Sequence, residues 1–229
     1  MPLPLSSSVV PTYDNFISGS NALTINMVRD FRHRGDASQL YLWGAGHSGK
    51  THLLLAAYNE CLSAGVTSFY ISLKDDAVSP GLLDGLEGCT LIAIDDVDQV
   101  AGDEAWEQAI FNLINFSREQ SGKLLFSATS SPAAGQWQLQ DLVSRLNWGP
   151  VVSLNVLSDR DARAALITSA DEKGLEMPDE TADYLLNRHT RDVASLLEIV
   201  ALLDRESLAA GRARITIPFL KACLARQEN

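Results

Sequence analysis

The chain has 229 residues, of which 46% are hydrophobic and 21% charged, with 15 Gly and 8 Pro. That composition excludes a disordered, collagen-like or disulfide-stapled protein and is enough for one large or two modest domains with real cores. Eighteen basic against 29 acidic residues give a formal charge of -11, which makes nonspecific attraction to nucleic acid or anionic lipid a poor default.

Neither half reverses that sign: 8 basic and 16 acidic residues lie up to Asn155, and 10 and 13 lie beyond it. Any DNA role is therefore expected to be local or indirect. Cys61, Cys89 and Cys223 form no CxxC pair, and His33, His47, His52 and His189 do not join them at metal-ligand spacing, so inert thiols in a reducing compartment are expected. No Lys or Arg precedes Arg29 and no apolar run approaches a bilayer span, which points to a cytoplasmic protein.

In chain order, an apolar and Ser-rich start, residues 1–11, reads as a flexible tail. From there to about Leu154, short apolar runs alternate with helical patterns, which implies an α/β fold with a parallel sheet flanked by helices. Five runs qualify as buried strands: Leu40 to Trp43, Ser68 to Leu73, Leu91 to Ile94, Leu124 to Ala128 and Val151 to Leu154. Between the third and fourth, Trp106, Ile110, Leu113 and Phe116 recur at helical steps over Glu104 to Phe116, with Asp103 and Glu104 placed for the helix N-terminus. Beyond Asn155 the strand signal fades. Ser158 to Asp161 reads as a capping box, and Pro178 and Pro218 suit first-turn positions. The expected division is an α/β domain over 12–155 and an all-helical domain over 156–229.

Gly44-Ala45-Gly46-His47-Ser48-Gly49-Lys50-Thr51 satisfies the full GxxxxGK[ST] pattern, after one predicted strand and before a predicted helix. Phosphates need backbone N–H groups that converge on them, hence glycines at crowded or left-handed positions, followed by a helix N-terminus whose dipole favours anions. Gly46, His47, Ser48, Gly49, Lys50, Thr51 and His52 are therefore candidate nucleotide ligands, with Lys50 on the outer phosphates and Thr51 offering its hydroxyl to Mg²⁺. ADP or ATP is the expected ligand.

Leu91-Ile92-Ala93-Ile94-Asp95-Asp96 is an apolar strand ending in two acids at the edge where the phosphate loop emerges. It reads as a Walker B strand. Asp95 would hold Mg²⁺ through its water shell and Asp96 would orient the attacking water. An ordinary strand followed by an Asp-rich turn would look the same were the phosphate loop not beside it.

With both motifs in place, the spacing resembles the AAA+ ATPases, and more narrowly the DnaA-type replication initiators. Tyr13 to Gly19 is similar to that family's opening segment, which implies a base pocket lined by Phe16 and Ile17. Leu124 to Thr129 followed by Pro132 resembles the sensor 1 strand, implying that Thr129 contacts Mg²⁺, water or γ-phosphate. Leu142 to Gly149 resembles the arginine-finger segment and makes Arg145 the finger. The helical remainder looks like the AAA+ lid.

The chain stops at Asn229, where a DnaA initiator continues into a helix-turn-helix domain, and Leu73 and Leu91 are separated by only 17 residues, too few for the initiators' extra helical insertion. An acidic module with neither DNA element resembles the Hda family, DnaA-related regulators that inactivate the initiator after replication starts. That resemblance implies a DnaA partner and slow hydrolysis of the chain's own nucleotide. It also implies binding to the DNA polymerase III sliding clamp through a Gln-Leu-x-Leu-Pro-Leu tail. Met1 to Leu5 matches the last five positions, with Met for the first Leu and no Gln, so Leu3, Pro4 and Leu5 are the clamp contacts and DNA is reached through the clamp. Sensor 2, normally an arginine, falls on Ala194. Arg191 and Arg188 either replace it or form a solvated face with Asp192 and Glu198. A homo-oligomer, a helicase-loader or helper ATPase, and a structural adaptor stabilised by its nucleotide remain as other readings.

Overall fold

The computed structural model describes residues 10–35, 37–86, 88–188 and 193–227. They divide into two compact units, one spanning Pro11–Val156 and the other starting at Leu157. The first carries α1 (Ala22–Phe31), β1 (Gln39–Trp43), α2 (Lys50–Ser63), β2 (Ser68–Ser72), β3 (Leu91–Asp95), α3 (Glu104–Glu119), β4 (Lys123–Ala128), α4 (Gln140–Leu146) and β5 (Val151–Ser153).

All five strands are parallel, in the order β2-β3-β4-β1-β5. A parallel sheet needs both faces covered, and the two-residue side-chain period divides the strands accordingly. On one face Tyr41, Ile92, Ile94, Leu124 and Phe126 pack with Trp106, Ile110 and Leu113 of α3 and Leu142 and Leu146 of α4. On the other, Leu40, Leu42, Leu91, Ala93 and Leu125 pack with Ile25, Val28 and Phe31 of α1 and Leu53 and Leu54 of α2. Burying each large apolar side chain contributes about 1.5–3 kcal/mol.

The register decides what meets at the sheet's C-terminal edge. Trp43 pairs with Ala128 and with Ser153, and Ser72 pairs with Asp95. The loop after β1 and the acids at the end of β3 therefore share the edge where ligands of open α/β sheets bind.

Each predicted strand is present with one end moved by a single residue. Helix α3 runs on to Glu119, three residues past the predicted end. It closes in a Schellman turn in which Ser121, at φ 59°, takes the left-handed position and the Gly122 N–H donates to the Ser117 carbonyl at 2.9 Å. A serine there hides the stop signal. Between β2 and β3 the described residues hold one short 3₁₀ turn, Pro80–Leu83.

The second unit comprises α5 (Asp159–Asp171), α6 (Asp179–Arg188), α7 (Val193–Ala210) and α8 (Ile217–Gln227). Ser158 caps α5, its Oγ accepting from the Asp161 N–H at 3.1 Å and donating to the Asp161 carboxylate at 2.8 Å. Pro218 lies in the first turn of α8, whereas Pro178 immediately precedes α6 and offers its carbonyl to Thr181. Leu166, Leu185, Leu196, Leu203 and Leu220 form this unit's core.

Candidate functional site

The phosphate-loop pattern folds as a tight turn between β1 and α2. His47 (φ 61°) and Gly49 (φ 96°) are both left-handed, and a Cβ at Gly44 would stand 2.2 Å from the Leu154 carbonyl oxygen. Gly46 has open space around it. A Cβ at Gly49 would meet the Phe16 ring at 2.6 Å, so glycine is needed there for conformation and for contact. Phe16 also meets His52 edge-on, with centroids 5.3 Å apart, and the His52 ring bonds the Thr12 carbonyl at 2.9 Å. The opening segment is thus fastened to the loop and to α2. Ile17 is half-buried beside it.

Lys50 is buried, and its ammonium donates to the carbonyls of Gly44 at 2.8 Å and Ala45 at 3.1 Å, so the loop wraps around its own lysine. Desolvation pulls the Lys50 pKa down, opposed by the charges of Asp96 and Asp95. Among the described residues Ser48 Oγ is buried without a partner, and Thr51 is exposed on the first turn of α2. First-turn amides of a helix have no intrahelical acceptor. The loop therefore brings together a buried hydroxyl, a desolvated cation and the first-turn amides of α2, a donor set that fits a polyphosphate.

Asp95 is 1% exposed with both carboxylate oxygens engaged: Ser127 Oγ donates to Oδ1 and Tyr70 Oη to Oδ2, the latter at 3.0 Å. The same Ser127 hydroxyl accepts the Asp96 N–H at 2.9 Å. Asp96 sits at φ 57° and forms an ion pair with Lys74, Nζ to Oδ1 2.9 Å. Burial pushes the Asp96 carboxyl up, countered chiefly by its bond to Lys74. Thr129 is exposed, and both its N–H (2.9 Å) and its hydroxyl donate to Asp98 Oδ2.

The predicted residues therefore fall into two groups. The loop, Asp95, Asp96 and Thr129 lie at the C-terminal edge of the sheet, while Arg145 lies at the other end of it. The Arg145 carbonyl accepts from Gln39 Nε2 at 2.7 Å, and Gln39 is the first residue of β1. A five-residue strand puts about 13 Å between that end and the loop. Arg191 lies outside the described residues, as do Met1 to Leu5, and Ala194 has no described side chain.

Tyr70, Lys74, Asp98 and Ser127 were not singled out from sequence. A serine inside the apolar run Leu124 to Ala128 was the available signal for Ser127; the other three depend on which strands are neighbours.

A parallel 2-3-4-1-5 sheet with a glycine loop, two strand-end acids and a helical companion unit defines an AAA+ P-loop NTPase fold. Residues 9–153 match the model of the bacterial DnaA ATPase domain, and residues 159–224 that of the Hda lid domain. The chain belongs to this DnaA-related AAA+ family, of the Hda-like kind. An uncharacterized protein of Haemophilus influenzae is 41% identical over 98% of this chain and 97% of its own. Among solved structures, AMPPCP-bound DnaA of Aquifex aeolicus aligns with TM-score 0.70 at 25% identity, over 86% of this chain and 67% of that one. Domain III of Thermotoga maritima DnaA aligns with TM-score 0.72 at 17% identity, over 99% and 98%. The Thermotoga RuvB branch-migration motor shares the fold, with TM-score 0.66 at 16% identity over 94% and 71%.

Proposed function

We propose that this chain is a nucleotide-bound negative regulator of replication initiation. With the DNA-loaded sliding clamp, it promotes hydrolysis of ATP held by a neighbouring DnaA molecule, through Arg145. The observation that carries the reading is the separation just described: the finger candidate is anchored at the N-terminal end of β1 and its own phosphate loop leaves the C-terminal end. An arginine so placed serves a site on another molecule. Against developing γ-phosphate charge, such a residue is worth about 10³ to 10⁵ in rate.

The chain's own site is suited to holding ADP or ATP more than to turning it over. Lys50, released from the Gly44 and Ala45 carbonyls, reaches the outer phosphates; Gly46 to His52 supply N–H groups, and Phe16 and Ile17 flank the base. Bound Mg²⁺ would neutralise phosphate charge, held by the Thr51 hydroxyl and, through water, by Asp95, whose oxygens Tyr70 and Ser127 keep aimed. Asp96 and Thr129 are the candidates for ordering water and sensing the γ-phosphate. Asp96 is paired with Lys74, and Arg145 is anchored at the opposite edge of the sheet, so intrinsic hydrolysis is slow.

On this reading the α/β domain over 12–155 holds the nucleotide, the 156–229 lid completes the AAA+ module, and the 1–11 tail binds the clamp through Leu3, Pro4 and Leu5. Tethering raises the effective concentration at replicated DNA without new contacts. The setting is cytoplasmic; among the described residues no helix is long and apolar enough to cross a membrane. A second copy of the chain is the other molecule Arg145 fits.

The test is turnover of DnaA-bound ATP with and without this chain and clamp-loaded DNA, alongside turnover by the chain alone. Acceleration that needs both additions is expected. Fast turnover by the chain alone, with single-stranded DNA binding, would make it a helicase-loader or helper ATPase. Unchanged DnaA turnover would leave a structural adaptor.

A further inference from the structure

The Arg145 guanidinium is held in place. Its central carbon lies 3.7 Å from the ring centroid of Trp148 and 5.4 Å from that of Phe111. A second guanidinium, Arg118, lies 4.4 Å from the same Trp148 centroid. Arg118 comes from the last turn of α3, while Trp148 lies two residues beyond α4, so two elements converge on one indole.

The backbone beneath is fixed. Gln39 holds the Arg145 carbonyl, which also accepts the Trp148 N–H at 3.0 Å. A Cβ at Gly149 would stand 1.9 Å from the Gln39 carbonyl oxygen, so the chain after Trp148 runs directly against β1. Trp148 itself is 39% exposed, which leaves the stack at the surface.

Two like charges on one ring repel, and the chain has 29 acidic residues with which to separate them. Yet among the described residues neither guanidinium has an ion-pair partner. Arginine N–H forks match phosphate oxygens, and stacking on an aromatic face leaves those in-plane donors free.

We propose that Trp148 is the positioning residue that fixes Arg145 for the polyphosphate of a nucleotide bound to the neighbouring molecule, and that Arg118, held on the same ring, is a second cation delivered to that polyphosphate. The inference rests on the finger reading above and deepens it. A free arginine must give up rotamer freedom on docking, whereas one stacked on an indole has already given it up.

The experiment is single-turnover hydrolysis of DnaA-bound ATP, measured against the concentration of this chain with clamp-loaded DNA, for the wild type and for Trp148→Leu, Trp148→Phe and Arg118→Ala. Trp148→Leu should lower the saturated rate by about ten- to a hundredfold, the scale of a misplaced catalytic group. The half-saturating concentration should stay within about threefold, and Trp148→Phe should restore most of the rate because it keeps an aromatic face. Arg118→Ala should lower the saturated rate at least about threefold through lost charge. Each variant should keep the wild-type thermal shift with ADP, which excludes misfolding as the cause. An unchanged rate, a loss confined to half-saturation, or no recovery with Phe would overturn the positioning role.

The stack is also readable in the free protein, as a ring-current-shifted Arg145 Nε–H resonance present in the wild type and Trp148→Phe and absent in Trp148→Leu. Its absence in the wild type would overturn the inference by itself. Its presence without any acceleration by the wild type would instead sink the finger reading, and this role with it.

Discussion

On the proposed reading nucleotide affinity turns on Lys50, a desolvated cation whose partners in this structure are two carbonyls of its own loop. Exchanging those neutral acceptors for phosphate oxygens converts ordinary hydrogen bonds into charge-assisted ones. The wild type should be stabilised by ADP with Mg²⁺ by about 2.7 kcal/mol at 100 times Kd. Lys50→Ala should abolish most of that shift in a thermal melt, and an undiminished shift would remove the phosphate-loop assignment. The loop was legible from eight consecutive residues because its function is a local backbone conformation. The pairing of Lys74 with Asp96 was not, because it joins the ends of β2 and β3 across a register that only the assembled sheet defines. The Tyr70 bond to Asp95 was hidden for the same reason.

At the scale of elements, Glu107 ties α3 to the segment that leads into α4. The side chain is 1% exposed, and its carboxylate accepts the N–H groups of Gly102 at 2.7 Å, Gln138 at 3.0 Å and Leu139 at 2.6 Å. Glu107→Ala would leave three backbone donors without their acceptor, at a cost of about 2–4 kcal/mol. Glu107→Gln should also destabilise, since an amide sets donors against donors. The urea midpoint reads both, and a shift under about 0.5 kcal/mol would show that water takes over the carboxylate's role. Periodicity located α3 but not this contact. Glu107 lies three residues before Ile110 on the buried face, and an acid there could as well have been read as the edge of the apolar stripe. The strand order likewise follows from the completed sheet, whereas the five strands themselves follow from apolar runs that both faces bury.

Across the whole molecule, buried weak acids set the behaviour at high pH. Burial raises the thiols of Cys61, Cys89 and Cys223 above 9.0, and the phenols of Tyr13, Tyr41 and Tyr70 above 10.0. Such groups hold their protons more tightly folded than unfolded. Their contribution is complete below the unfolded pKa and is lost as pH rises through the folded one, so stability should fall from about pH 9 upward. Lys50, shifted down, works in the opposite sense but is a single group. Denaturant midpoints between pH 7 and pH 11 read this, and a midpoint that holds steady or rises would contradict it. The proposed division of labour between two molecules is likewise a property of the whole, since the Arg145 segment is anchored at one edge of the sheet and the phosphate loop leaves the other. The measurement that bears on it most directly is hydrolysis of DnaA-bound ATP with clamp-loaded DNA and either wild-type chain or Arg145→Ala. The variant should fold and take up ADP as the wild type does while losing about 10³-fold or more of the stimulated rate; a variant that stimulates as well as the wild type would contradict the account.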